Sequence, residues 1–343
     1  MRVLYFSSDE YAIYAGISMV SMLENNVGVE NLEFFLLEDN ISLENKEKIK
    51  SIFKKYNREC TFLDANIVYP RIIEKYGHKM REYNGGKTGW FRVFPDEIFP
   101  DYEGTVLYMD SDTIVNGSIE GLLDLKWDNK AIAAASSSTI IISKFIMSFS
   151  GREEERIIRD RGDEYLNSGI VIYHLRNFKK GNFREKMSQT LSQLDELFFI
   201  DQTLLNATFH SKEVLDFGYK YNYCFHLEPR YSRFIEMTEE LEKKDIVSID
   251  RHPIIVHYPG ERPWFKESTS RLANLYEKYR DMSPWKGTEL SYWDSPKYKN
   301  MKLIDKILER IRRKIYHTRV YGYYSYRKNL MALHFAGKLK RNG

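Results

Sequence analysis

Along the chain, short apolar runs are separated by stretches in which apolar residues recur at helical spacing. "RVLYFS" (residues 2–7) predicts a buried opening strand, and "AIYAGISMVSMLEN" an amphipathic helix behind it. "NLEFFLLE" predicts a second strand, "SLENKEKIKSIFKKY" a helix with Ser42 as its N-cap, and "CTFLD" a third strand. "KTGWFRVFPDEIFP" predicts a helix up to Pro95, and "TVLYM" the strand after it. "AIAAAS", "SGIVIYHL" and "PIIVHY" predict later buried strands, and "DQTLLNATF" a helix with Asp201 near its start. Strands alternating with helices predict the α/β class, with a mainly parallel central sheet flanked by helices. No internal repeat and no linker between equal halves is visible. The expected organisation is one large domain over residues 1–270 and a helical appendage over 271–343.

The appendage has its own pattern. In "KLIDKILERIRRKIY" (302–316) one helical face collects Leu303, Ile304, Ile307, Leu308, Ile311 and Ile315, and the other Lys and Arg. The stretch that follows, "HTRVYGYYSYRKNLMALHF", interleaves Tyr with basic residues. Such a segment suits an anionic membrane surface: apolar face inserted, rings at headgroup level, cations on lipid phosphates. An ordinary helix packed on the main domain, or a partner-binding helix, has the same periodicity.

Charge sharpens this division. The 343 residues carry a formal charge of +3. From Lys302 onward twelve Lys and Arg stand against only Asp305 and Glu309, so the tail is basic and the remainder acidic. An acidic body argues against a nucleic-acid partner, whose site needs surrounding basic surface. No run approaches the ~18 apolar residues of a membrane span. The start reads as a strand rather than a signal peptide. Two cysteines, Cys60 and Cys224, suit a reducing compartment. The expectation is a cytoplasmic protein, peripheral on the inner face of a membrane.

The candidate chemistry begins at "VLYMDSDTIV" (106–115), where Asp110 and Asp112 follow a buried strand. Open α/β sheets bind ligands at the carboxyl ends of their strands. Two carboxylates aimed at one point repel unless a cation lies between them. In a phosphatase of the haloacid-dehalogenase type, Asp110 would be the nucleophile and Asp112 the acid/base. That motif usually opens its fold, and no later acidic magnesium cluster is present here. In a nucleotide-sugar transferase, the pair would hold Mn2+ or Mg2+ against the donor diphosphate. "IIVHYPGERPWF" adds His257 as a third ligand, Gly260 for close backbone approach to phosphate, and Arg262 as a charged fork over it. His257 taken alone also reads as a core histidine at a strand end.

These segments, in this order, resemble the family-8 retaining glycosyltransferases from residue 1 to about residue 270. "FSSDEYAIYAGISMVSML" is similar to the opening strand and uridine-binding turn, "YMDSDTIV" to the Asp-x-Asp segment, and "YLNSGIVIYHLRNFK" to the Asn-Ser/Ala-Gly strand. "FIDQTLLNATF" is similar to the Asp-Gln segment and "HYPGERPW" to the closing His-containing loop. The resemblance implies a GT-A-like nucleotide-sugar-binding fold and a UDP-sugar-dependent hexosyltransferase that retains configuration, giving an α-linkage. It implies that Asp110, Asp112 and His257 hold the metal, and that Ser8, Asp9, Tyr11 and Ser111 lie along the nucleotide. It further implies that Arg92, Asn167 and Asp201 contact the donor sugar and that Gln202 sits by the anomeric carbon. Asn167 as a turn residue, Asp201 as a helix cap and Arg92 as an ion-paired surface residue are the plain structural alternatives. The chain departs from the family in Ser8-Asp9-Glu10 at the opening turn, in a shorter Gly260–Arg262 spacing with Arg for Lys, and in "SSST" where relatives often place an acid. The donor would be UDP-glucose or UDP-galactose, and the acceptor a glycan or glycolipid of lipooligosaccharide or surface polysaccharide. A self-glycosylating priming protein is a further alternative.

Overall fold

The computed structural model describes residues 1–77, 88–137, 147–149, 165–197, 200–209, 213–224, 252–259, 262–265, 268, 272–289, 302–304, 307–308 and 311. The chain divides into two units. The first comprises Met1–Tyr223, Pro253–His257 and Tyr279–Lys286; the second comprises Cys224–His252, Tyr258–Lys278 and Gly287–Gly343.

The first unit is built on strands β1 (Arg2–Ser8), β2 (Glu33–Asp39), β3 (Cys60–Asp64), β4 (Thr105–Met109), β5 (Thr113–Val115), β6 (Ile132–Ser137), β7 (Met147–Phe149), β8 (Tyr165–His174), β9 (Leu194–Leu197), β10 (Val214–Asp216) and β11 (Ile255–His257). Seven of them form one sheet in the order β10-β6-β8-β4-β1-β2-β3. Its neighbours pair in parallel, except that β8 runs antiparallel to both β4 and β6. Central strands covered on both faces should be apolar throughout rather than alternating. Val3–Phe6 of β1 and Val106–Met109 of β4 are buried without interruption. Two small sheets pair β5 with β11 and β7 with β9.

Helix α1 (Ala12–Asn25) follows β1 after a short turn, Asp9–Tyr11. It buries Ala12, Ala15, Gly16 and every residue from Ile17 to Leu23. Polar groups fix it to β5: Val115 N–H donates to Ser21 Oγ at 2.8 Å, and Asn25 Nδ2 donates to Val115 O at 2.9 Å. Helix α2 (Leu43–Lys55) starts as predicted, with Asn45 N–H donating to the Ser42 hydroxyl.

Two local expectations are corrected. The single helix predicted up to Pro95 is two short turns, Thr88–Phe91 and Pro95–Ile98. Pro95 opens the second turn rather than closing the first, because a missing N–H costs nothing at a helix start. Helix α3 (Ala65–Tyr76), with Pro70 inside it, was not anticipated; Asp64 caps it by accepting from Asn66 N–H at 2.7 Å.

The late segment Tyr279–Lys286 belongs to the first unit and packs against α1. Asn25 Nδ2 donates to Tyr279 Oη at 2.7 Å. The Trp285 ring lies over Gly16, where a Cβ would come within 2.2 Å of it. Alanine at Gly16 should favour the helix by up to about 1 kcal/mol, yet overpacking against a buried ring costs about 1–3 kcal/mol. Gly16→Ala is therefore expected to lower the urea midpoint, and Trp285→Ala in the same chain to recover part of the loss. Strictly additive losses would show that the two residues do not meet.

Candidate active site

The site forms where β4 ends. Asp110 N–H donates to Gly169 O at 2.8 Å, extending the β4–β8 ladder beyond Met109. Because β8 runs antiparallel, its early residues Asn167, Ser168 and Gly169 emerge at the same edge as the carboxyl end of β4. The turn carrying Asp110 and Asp112 is pinned twice: Ser111 Oγ donates to Phe6 O at 2.9 Å, and Thr113 Oγ1 to Asp110 O at 2.8 Å. β5 then pairs with β11 in a register that sets His257 opposite Thr113.

Asp110, Asp112 and His257 each offer one ligand atom, all within 4.8 Å of one another. His257 Nε2 lies 3.3 Å from Asp112 Oδ1 and 3.7 Å from Asp110 Oδ2, and the imidazole is 2% exposed. An ion with bonds of about 2.1 Å sets adjacent ligand atoms about 3 Å apart, so the cluster needs little adjustment to hold one. Two carboxylates with one imidazole are a donor set for a divalent cation. Space for a ligand is kept by Gly169. A Cβ there would come within 2.1 Å of His257 Cε1 and 2.9 Å of Asp110 Oδ2. The residues present therefore fit a divalent cation.

Beside the triad, Arg92 gathers the carboxylates. Its Nη2 lies 3.0 Å from Asp110 Oδ1 and its Nη1 3.2 Å from both Asp110 Oδ2 and Asp201 Oδ2. Burial opposes the guanidinium charge, but Asp110 and then Asp201 outweigh it and raise its pKa. Arg92 Nε is buried and has no hydrogen-bond partner, a polar atom available to a ligand. Tyr108, whose ring lies 5.4 Å from the Arg92 guanidinium carbon, donates its hydroxyl to Asp110 Oδ1 at 2.9 Å. Burial drives the Tyr108 pKa up against the pull of Arg92, so Tyr108 remains a donor. Asp110 itself is raised to about 6: burial raises it, Arg92 lowers it, and Asp112 raises it again.

The helix Ile200–Thr208 delivers Asp201 in its first turn and Gln202 after it, both buried. Gln202 Oε1 accepts from Ser168 N–H at 3.1 Å. Asn206, one turn on, clamps Leu166 by accepting from its N–H at 2.8 Å and donating to its carbonyl at 2.9 Å. The start of β8 and the Asp-Gln helix are thus one hydrogen-bonded body. Asn167 sits inside β8 rather than in a turn before it, and its Oδ1 accepts from Gly169 N–H at 3.0 Å.

The remaining predicted residues lie elsewhere in this picture. Ser8 ends β1. Asp9 ties that end to α2, accepting from Ser42 N–H and from Asn45 Nδ2, each at 2.8 Å; the first of these is the largest cause of its lowered pKa. Tyr11 is 36% exposed and meets Tyr14 edge-on. Arg262 belongs to the second unit, its guanidinium carbon 5.7 Å from the Trp264 ring centre. Gly260 lies outside the described residues. Sequence reasoning passed over Tyr108, Ser168, Gly169, Asn206 and Asn222. Tyr108 carried a usable signal, since a residue two before Asp110 on a strand shares its face; Asn222 carried none.

The chain matches the family described as Glycosyl transferase family 8 over residues 2–268. It is 24% identical to General stress protein A of Bacillus subtilis (strain 168) over 297 residues, covering 83% of this chain and 94% of that protein. It is likewise 24% identical to a lipopolysaccharide 1,2-glucosyltransferase of Escherichia coli, covering 81% of this chain and 77% of that one. Among solved structures, the galactosyltransferase LgtC in complex with donor and acceptor sugar analogs superposes with a TM-score of 0.64 at 19% identity, over 83% of this chain and 96% of that one. The fold is therefore that of the GT-A glycosyltransferases, and with its family match over residues 2–268 the chain belongs to glycosyl transferase family 8.

Proposed function

We propose that this glycosyltransferase moves a hexose, glucose or galactose, from a UDP-sugar to a glycan acceptor of lipooligosaccharide or surface polysaccharide, with retention and in a metal-dependent reaction. One observation carries the reading: Asp110, Asp112 and His257 converge at the carboxyl edge of the sheet, beside Arg92, Asp201 and Gln202. Mn2+ or Mg2+ held by those three residues would neutralise charge growing on the diphosphate leaving group. The relative named as a lipopolysaccharide glucosyltransferase supports the acceptor class.

Within this reading Arg92, Asn167 and Asp201 orient the donor sugar. Gln202 positions it rather than attacking: its amide oxygen is a weak nucleophile and already accepts from Ser168 N–H. Ser8, Asp9, Tyr11 and Ser111 line the nucleotide; for Gly260 and Arg262 the sequence alone suggests a phosphate role. The phosphatase alternative loses support, because both Asp110 oxygens are engaged by Tyr108 and Arg92, which weakens a nucleophile. The priming alternative needs an acceptor tyrosine, and its tail candidates lie outside the described residues.

The tail is assigned to the inner membrane surface, where a cytoplasmic enzyme would meet a lipid-linked acceptor. Leu303, Ile304, Ile307, Leu308 and Ile311 are between 48% and 76% exposed. No helix among the described residues is long and apolar enough to cross a membrane; the attachment proposed is interfacial.

Three measurements test this. In a UDP-sugar hydrolysis panel with Mn2+, UDP release should be confined to one or two hexose donors. Asp112→Ala should lower it by at least about a hundredfold. A flat panel, or an unchanged variant, sinks the proposal. Asp110 protonates as pH falls through about 6, so the half-saturating Mn2+ concentration should rise between pH 7 and 5.5. The sign is opposite for the metal-free fold. A carboxyl raised from 3.8 to about 6 binds its proton more tightly when folded, so this group adds stability as pH falls across that window. Thermal shift with and without Mn2+ reads both effects, and two pH-independent curves would refute them. Finally, the full chain should pellet with anionic vesicles, and replacing Leu303, Ile307, Leu308 and Ile311 by Asn should release it while leaving UDP release intact. Equal pelleting of the two would remove the tether.

A further inference from the structure

A buried asparagine outside every recognised motif connects the metal ligands to the sugar-binding strand. Asn222 follows the short helical turn Tyr219–Tyr221 and is 1% exposed. Its backbone neighbour Tyr223 runs parallel to β11: Tyr223 N–H donates to Ile255 O and His257 N–H to Tyr223 O, each at 2.9 Å. Asn222 and His257 are thereby held side by side. Asn222 Oδ1 lies 2.9 Å from His257 Nδ1, and Asn222 Nδ2 lies 2.9 Å from Asn167 Oδ1.

The direction of each bond in this chain follows from its far end. Gly169 N–H is a backbone donor and cannot be reversed, so the Asn167 atom 3.0 Å from it is the amide oxygen. That same oxygen faces Asn222, which must present its NH2 group there. The other end of the Asn222 amide is then an oxygen, and it faces His257 Nδ1. An oxygen accepts, so Nδ1 carries a hydrogen. In the neutral imidazole His257 Nε2 then presents its lone pair toward the space it shares with Asp110 and Asp112. Three side chains thus transmit the orientation of one backbone N–H to the ring nitrogen that faces a metal.

We propose that Asn222 is a positioning residue that fixes the tautomer and ring orientation of His257 and couples that ligand to Asn167. The inference rests on the metal-dependent reading above. Groups that orient a metal-bound histidine through its other nitrogen typically account for 10–100-fold in metal affinity. Asn222 also bonds to the strand residue assigned to the donor sugar, so its two ends separate by substitution. Asn222→Asp keeps an acceptor toward Nδ1 and sets oxygen against oxygen at Asn167. Asn222→Leu removes both bonds in a similar volume.

The test uses the full chain without nucleotide, titrated with Mn2+ alone and read by the electron paramagnetic resonance of the free ion. Asn222→Leu is expected to weaken Mn2+ binding by about 10–100-fold. Asn222→Asp should stay within about threefold of the parent in Mn2+ affinity, while its KM for the UDP-sugar rises. Long-range 15N spectra of the histidines, with His257 assigned from His257→Gln, should show hydrogen on Nδ1 and none on Nε2 in the metal-free parent at pH 8. That spectrum needs no Asn222 variant, so it decides the tautomer even if Asn222→Leu fails to fold. Hydrogen on Nε2 alone, or a folded Asn222→Leu that binds Mn2+ like the parent, overturns the role of Asn222 and leaves the metal site standing. A parent that binds no Mn2+ overturns the metal reading and the role of Asn222 with it.

Discussion

The structure turns on the repulsion among groups that converge beyond β4. Two carboxylates about 4 Å apart at an effective dielectric of about 20 repel by about 4 kcal/mol. Here Asp110, Asp112 and Nε2 of His257 share a space no wider than 4.8 Å, with Asp201 behind Arg92. Such an arrangement persists only where the backbone leaves its members no other direction. That is what the pins at Ser111 and Thr113 do on one side and the β5–β11 pairing does on the other. The raised pKa of Asp110 comes first from its burial, with Arg92 opposing the rise and the neighbouring Asp112 adding to it.

Sheet polarity explains how so many polar groups reach one edge. In a purely parallel sheet, only strand ends and the loops after them collect at the carboxyl side. The antiparallel β8 brings the beginning of a strand there as well, and with it Asn167, Ser168 and Gly169. The Asp-Gln helix then binds to that strand through Gln202 and Asn206 rather than to a loop. Asn167, Ser168, Gly169 and Gln202 are thus set by ladder and helix geometry, which holds atoms more tightly than loops do.

Much of this was legible in the chain. Strands β1–β4, β6, β8 and β11 and the first two helices follow from apolar runs and one N-cap, and the three metal-ligand candidates from residue type and position at strand ends; the short β5, β7, β9 and β10 are not among the predicted strands. Other parts were not legible, for physical reasons. Helix α3 contains Pro70, which reads as a breaker although the fold accommodates it. The turns around Pro95 are each too short to leave a periodic signal. The antiparallel sense of β8 is invisible because "SGIVIYHL" is equally apolar in either direction. Asn222 acts by a single amide between two other side chains, and no local spacing announces such a contact.

Charge balance at this edge also decides what Arg92 does. Three carboxylates, Asp110, Asp112 and Asp201, face one guanidinium, so the group as a whole is negative before any ligand arrives. Arg92 bridges two of them and stacks near Tyr108, which leaves its fork turned toward protein carboxylates rather than outward to a phosphate. Under the proposed function, a divalent cation would convert this edge from one that repels a diphosphate into one that accepts it. Arg92 alone cannot make that conversion, since its single charge is already outweighed by the carboxylates it holds. What the structure shows of Arg92 is that it holds Asp110 and Asp201 together, while its buried Nε has no hydrogen-bond partner.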